Sequence, residues 1–346
     1  MFLTSCEDIL GEWSKPTPSI VTPSDGGGAT SGTIAYVKYT VSGTTATPSD
    51  QQLAEGTYTV VTADLAELTA DKPYVVNADI TIGHDVTISD DAEIVICDGK
   101  TLTINGKLSV VDQMDPTKNL KLYGQTGKTG TLKVTNAETT AAVMAICVKG
   151  LEVHGACINS TSQSSSSGQA IHVHGDFNLY DGTITATANG DDTQSMEIIT
   201  TGTAKFNMYN GTVTTTGNMQ GLMVDHLYLY GGELNANGGT SSGGAGAQAI
   251  SGEVNVSGGT LTAIGGDAKS GSAQNGGDGI VSSVNIDGGK IIATGGAADG
   301  ATDGLGISNW ATITTGGTIS FYEGDSPNPT TPGTLPNASK RYVVLQ

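Results

Sequence analysis

The chain has 346 residues, of which 50 are Gly, 4 are Phe and 2 are Trp, so any core must be thin and built from small aliphatic side chains. Its formal charge of −19 argues against nucleic acid or an anionic membrane surface as partner, because both would repel it. No stretch reaches the ~20 apolar residues of a membrane-spanning helix.

The first segment reads Leu3-Thr4-Ser5-Cys6-Glu7-Asp8, followed by Ser-, Thr-, Pro- and Gly-rich residues to about position 30. The four residues ending at Cys6 resemble a bacterial lipobox, which implies lipidation of Cys6 and an outer-membrane anchor. The acidic pair behind them resembles the surface-export signal of some Gram-negative gut commensals. On that resemblance residues 1–30 form lipobox and flexible tether, and the protein is lipid-anchored at the cell surface. Residues 31–75 are expected to hold N-terminal strands and a small cap. Ala63–Asp71 is the one helix candidate, placed to cover the edge of the first coil.

From 76 to 322 a phrase recurs: apolar-x-apolar-x-(Gly/Asp/Asn)-Gly-x-(Ile/Leu/Val). It falls at Leu120–Gln125, Leu151–Ala156, Phe177–Gly182, Phe206–Gly211, Leu227–Gly232, Val254–Gly259 and Val284–Gly289, ending every 21 to 31 residues. A fixed phrase at that period marks a solenoid, whose units bury their apolar edges only against neighbours. Strict alternation, as in Phe177 and Leu179, together with Thr, Val and Ile flanks, is strand chemistry. A second short strand follows each Gly corner, as at Thr183–Thr187 and Thr212–Thr216. No Pro lies between Pro116 and Pro327, as expected of a ladder that needs every backbone N–H. The expectation is an all-β protein, a right-handed parallel β-helix of about ten coils with a small N-terminal cap. Residues 323–346 read as linker plus a last strand at Tyr342–Leu345.

The register predicts one surface feature. If Phe177 and Leu179 point inward, Asn178 and Tyr180 point outward. Coil by coil, the Tyr180 position reads Tyr123, His154, Tyr180, Tyr209, Tyr230, Ser257, Asp287, and the Asn178 position reads Lys121, Glu152, Asn178, Asn207, Tyr228, Asn255, Asn285. Five rings stacked at ~4.8 Å would span roughly 19 Å. Flat rings beside fixed amides suit a sugar chain: pyranose faces stack on the rings and hydroxyls meet Asn. Stacked Tyr and Asn ladders also stabilise solenoids with no ligand, and the residues alone fit both roles.

Catalytic patterns are sparse. The chain has a single Arg, Arg341, outside the repeats, whereas polysaccharide lyases of this shape use an Arg or Lys base beside an acidic calcium site. Asp191-Asp192 has neither the Gly-His-Gly nor the Arg-x-Lys partner of polygalacturonases. His172 and His174 share one strand face without an evident third metal ligand, although His154 lies one coil away. The insertions at Gly265–Asp278 and Gly295–Gly304 read as flexible surface loops. Their Asp267, Asp278, Asp299 and Asp303 are the candidate calcium ligands, and no other cofactor is expected. Cys97, Cys147 and Cys157 give no disulfide framework.

The phrases Gly258–Gly266 and Gly288–Gly296 resemble the β-helical, pectin-lyase-like repeats of surface adhesins and carbohydrate-binding lipoproteins of gut bacteria. That resemblance implies shape more than function. The expected function is a non-enzymatic surface lipoprotein that binds polysaccharide or host glycan through Tyr123, His154, Tyr180, Tyr209, Tyr228, Tyr230, Asn178 and Asn207. The alternatives are a structural or adhesive spacer that contacts host or bacterial surface protein, and a degenerate polysaccharide lyase or hydrolase.

Overall fold

The structure, a computed structural model, describes residues 32–113, 115–139, 143–164, 168–190, 193–199, 202–308, 311–316, 319–332 and 340–346. Cys6, the tether and the Asp191-Asp192 pair lie outside the described residues. Among the described residues 53% lie in strands and none in a helix, and parallel strands stack into a β-solenoid of about nine turns.

Each full coil contributes strands to three faces. The first face runs through Ala92–Ile96, Asn119–Tyr123, the starts of Gly150–Ser162 and Phe177–Ala188, Lys205–Met208, the end of Gln220–Leu229 and Val284–Ile286. The second carries Thr101–Ile104, Thr131–Asn136, Thr212–Gly217, Glu233–Gly238, Thr260–Ile264 and Lys290–Thr294. The third carries Val86–Ile88, Leu108–Val110, Ile146–Val148, Gln169–Val173 and Gln194–Ile198. Inward residues from all three faces meet in one apolar column, where Phe177 stacks on Phe206 at 4.7 Å. Repeating the same side chain at the same rung lets each residue pack on its own kind one coil away, which suits a thin core with few aromatics.

Glycine is demanded at the first corner. Gly211 has φ +89°, and a Cβ there would lie 2.3 Å from the Gly182 carbonyl oxygen. The corners stack so closely that only a bare α-carbon fits. Aspartates serve the same corners differently. Asp98 accepts the backbone N–H groups of Gly127 at 2.8 Å and Thr129 at 3.0 Å, and Asp85 accepts that of Lys107 at 2.8 Å. Much of the acidic excess therefore caps amides of the following coil, where a charged acceptor makes a stronger bond than a neutral one.

Two expectations change and two gain detail. Ala63–Asp71 is not a helix: Glu67–Leu68 is a short strand paired in parallel with Thr87–Ile88. A nine-residue helix is marginal alone, whereas the strand joins a ladder and buries Leu68 completely. Parallel stacking begins at Thr59–Val60, inside the segment expected to hold N-terminal strands and a cap. Tyr342–Leu345 is a strand, but it runs antiparallel, inserted between Lys290–Thr294 and Phe321–Gly324. The insertions at Gly265–Asp278 and Gly295–Gly304 do not stand free of the rod. Their arms bond in series: Gly266 N to Ala247 O (2.7 Å), Gly277 N to Gly266 O (2.9 Å), Gly296 N to Gly277 O (2.8 Å) and Gly304 N to Gly296 O (2.9 Å). A Cβ on Gly296 would sit 1.8 Å from Gly266 O, so glycine is what lets the arms close.

The N-terminal segment is an antiparallel hairpin, β1 (Ile34–Ser42) and β2 (Thr45–Leu53), turned at Gly43-Thr44. It folds back over the first face. The Val37 N–H bonds Gly124 O at 2.9 Å, and Gln125 Nε2 donates to Ala35 O at 2.8 Å. The outer strand carries Pro48, whose missing N–H blunts the free edge.

Candidate functional site

The predicted outward rows exist on the first face. Lys121, Glu152, Asn178, Asn207, Tyr228, Asn255 and Asn285 are register partners in successive coils. Beside them the rings stack continuously: Tyr123 on His154 at 4.7 Å, His154 on Tyr180 at 4.3 Å, Tyr180 on Tyr209 at 5.5 Å and Tyr209 on Tyr230 at 5.0 Å. The ladder survives a register shift at His154, where the strand bulges before Ala156. Tyr228 widens it sideways, its ring 6.2 Å from Tyr230.

Exposure divides the ladder in two. Tyr123 is 2% exposed and His154 1%, because β1 lies across them. Tyr36 meets Tyr123 edge-on at 5.0 Å, and the Tyr39 ring lies parallel to Tyr180 at 6.3 Å. While the hairpin is docked neither Tyr123 nor His154 can touch a ligand. This corrects the expectation of five open rungs: a two-residue period gives a side chain's direction, not what folds over it. Tyr180, Tyr209, Tyr228 and Tyr230 remain partly exposed.

Burial sets the chemistry of these groups. It raises the phenols of Tyr209 and Tyr230, and pushes Tyr180 up to about 12 with help from Glu152. Tyr123 is raised further, by burial and by Glu93 and Glu152. All are neutral rings at physiological pH, suited to stacking. Burial holds His154 below its ordinary value, against the pull of Glu152.

The amide row is partly self-satisfied. Asn207 Nδ2 donates to Asn178 Oδ1 at 2.9 Å, and Asn285 Nδ2 to Asn255 Oδ1 at 2.9 Å. Beyond Asn178 the face dips into a groove of about 320 Å³, lined by Asp91, Asn119, Lys121, Lys149, Glu152 and Asp176 among others. The groove thus runs beside the coils that carry Tyr123, His154 and Tyr180, and reaches the partly exposed rungs at Asn178.

Residues not anticipated from the sequence join the two halves. Asp181, 7% exposed, accepts from Tyr39 Oη (3.1 Å), Asn210 Nδ2 (3.1 Å) and the Gly182 N–H (2.8 Å), and pairs with Lys128 Nζ at 2.5 Å. Lys128 reaches it from a left-handed backbone, φ +55°, which is unusual for a residue with a side chain. A signal was available: at this corner Asp181-Gly182 stands where neighbouring coils carry Asn210-Gly211 and Gly231-Gly232.

The other candidates do not assemble into a centre. His172 lies on the third face and bonds Glu197 at 3.1 Å, far in topology from His154 on the first. Its ring is 6.0 Å from His174. Asp267 Oδ1 accepts the Ala297 N–H, Asp278 Oδ1 that of Leu305, Asp299 Oδ2 that of Ala273 and Asp303 Oδ1 that of Ala298. Among the described residues no group of three or more His, Cys, Asp or Glu converges on a metal-sized site. Cys147 is buried, its thiol pushed up to about 12 by burial and by Glu197 and Asp112.

The parallel β-solenoid with an aromatic-faced side is the class that fold and site define. No family model, curated protein or solved structure matches the chain.

Proposed function

We propose that this chain is a non-enzymatic surface lipoprotein, held in the outer membrane by lipid on Cys6, that binds polysaccharide or host glycan along its first face. The observation that carries the proposal is the exposed run of stacked rings, Tyr180, Tyr209 and Tyr230 with Tyr228 beside it. The rings lie next to Asn178 and Asn207, whose mutual bond uses one donor and one acceptor. It leaves Asn178 Nδ2 and Asn207 Oδ1 for hydroxyls of a bound sugar. Neutral phenol rings offer apolar faces to pyranose carbons, and the adjoining groove offers mixed donors and acceptors. Tyr123 and His154 drop out of the contact set in the docked state.

A second reading has its own support. The hairpin shows that a polypeptide strand can lie on this ladder, through Tyr36, Tyr39 and two outward N–H groups. A structural or adhesive spacer that docks protein on the same face fits that observation. A glycan array with the chain from about residue 32 onward separates the two. Discrete hits that are lost on Tyr209→Ala support the glycan function, and a silent array hands the face to a protein partner.

The anchor is tested separately. Full-length protein made with a complete export signal should take up labelled fatty acid, and Cys6→Ala should lose the label. Equal labelling in that variant would place the anchor elsewhere.

A further inference from the structure

The hairpin is held over the buried rungs by a bond that only an uncharged imidazole can make. The Tyr39 backbone N–H donates to His154 Nδ1 at 3.1 Å, so Nδ1 must present its lone pair. The ring proton then sits on Nε2, which faces Glu152 Oε2 at 3.3 Å. A second proton on Nδ1 would set N–H against N–H at the centre of the interface. Tyr39 also stacks on the imidazole at 6.3 Å, and the other hydrogen bonds that dock the hairpin do not involve it: Val37 N to Gly124 O, Gln125 Nε2 to Ala35 O, and Tyr39 Oη to Asp181.

We infer that the β1–β2 hairpin is a proton-released cover over a second stretch of the glycan platform, made of Tyr123, His154 and the shaded side of Tyr180. The glycan half rests on the function proposed above, and the release half rests on the contacts at His154.

The groups that face His154 come from every element packed on it. Lys38 and Tyr39 approach from β1, Lys121 and Tyr123 from the preceding coil, and Tyr180 and Asp181 from the following coil, with Lys128 bound to Asp181. Glu152 lies on its own strand and favours the proton; burial, Lys121 and Lys38 oppose it. The balance in the docked state lies below the ordinary value of 6.5, with burial the largest cause. Lifting the hairpin returns the ring to water and removes that cause. The docked form therefore binds fewer protons than the open form as pH falls below 6.5. Docking is complete above that value and weakens below it, by up to about tenfold per pH unit for one proton.

What the release exposes is already built for stacking. Tyr123, His154 and Tyr180 continue the open rungs at ring spacings of 4.7 and 4.3 Å, and Tyr39 lies on them as a flat ring. A sugar residue displacing Tyr39 would extend the bound segment from the open rungs over the covered ones.

Hydrogen exchange on the full chain, with no glycan present, reads the release. At pH 5.5 the protection of the Val37 and Tyr39 amides, corrected for intrinsic exchange, should be lower than at pH 7.5, by up to about tenfold. Amides of Phe206 and Leu227 should keep theirs, which rules out global loosening. His154→Asn places a non-titrating acceptor near Nδ1 and should make the hairpin's protection independent of pH. Equal protection of wild type at both pH values, or the same loss in His154→Asn, would overturn the release. Calorimetry with cellohexaose, xylohexaose and mannohexaose reads the covered site. A hexasaccharide that binds at pH 7.5 should bind several-fold more tightly at pH 5.5 to wild type and equally at both to His154→Asn. Release without tighter binding overturns the covered site and leaves the proposed function standing. Absence of binding by these probes and by every array glycan removes both.

Discussion

The two halves of the ring ladder stack at nearly one spacing across the register shift at His154, yet they differ in everything a ligand would meet. Tyr123 and His154 lie beneath β1 at 2% and 1% exposure, while Tyr209 and Tyr230 present partly open faces. The repeat that produces both halves is indifferent to the distinction. Stacking alone therefore does not mark a binding site in a solenoid, because the covered rings stack as well as the open ones. What separates a structural rung from a platform rung is whether another part of the chain lies on it.

The largest expected effect lies on the covered side. Tyr123 packs with Ile34, Tyr58, Val75 and Val95 in a small second core. Tyr123→Ala should cost about 3–5 kcal/mol, the range for truncating a buried aromatic, and urea unfolding should show it. A loss as small as that expected for an open rung would mean that the two halves do not differ. Next is the node between them. Asp181→Ala removes the acceptor of Tyr39 Oη, Lys128 Nζ and Asn210 Nδ2 together. About 1.5–3 kcal/mol is expected from lost charge-assisted bonds. The amides of Val37 and Tyr39 should lose protection while those of Val284–Ile286 keep theirs. Uniform loss along the rod would contradict a local joint.

Alkaline pH gives a smaller, graded contrast. The Tyr180 phenol is raised to about 12 in the folded chain against an ordinary 10. Between those values the unfolded chain releases a proton that the folded chain keeps. Stability is thus complete below pH 10 and falls as pH rises toward 12, by at most about 1.4 kcal/mol per pH unit for each such phenol. Tyr180→Phe should remove one proton's worth of that slope, measured by urea midpoints from pH 9 to 11.5. An unchanged slope would show that the ring's burial does not govern its ionisation.

How much of this was legible in the sequence follows from the range of each interaction. Alternation fixed the row from Lys121 to Asn285, because the side-chain period and the Gly corners are local and repeat. The hairpin was not legible as a cover: Tyr39 reaches His154 across 115 positions and Asp181 across 142, outside any period. Apolar and polar residues at Ala63–Asp71 suggested a helix, and the ladder offered to Leu68 by Ile88 prevailed. The Gly-rich insertions read as loose because they lack side chains, and that same lack lets their backbones bond to one another.

The central claim, that the open rungs serve a ligand while the covered rungs serve the fold for as long as the hairpin is docked, is tested most directly at Tyr209. This ring stacks on Tyr180 at 5.5 Å and on Tyr230 at 5.0 Å. Affinity for an array-selected oligosaccharide and melting temperature are measured together for wild type and Tyr209→Ala. The expected result is an affinity loss of at least about tenfold, near 1.4 kcal/mol, with melting shifted by only a few degrees. Melting lowered by Tyr209→Ala while neither protein binds any glycan would contradict it and make the whole ladder structural.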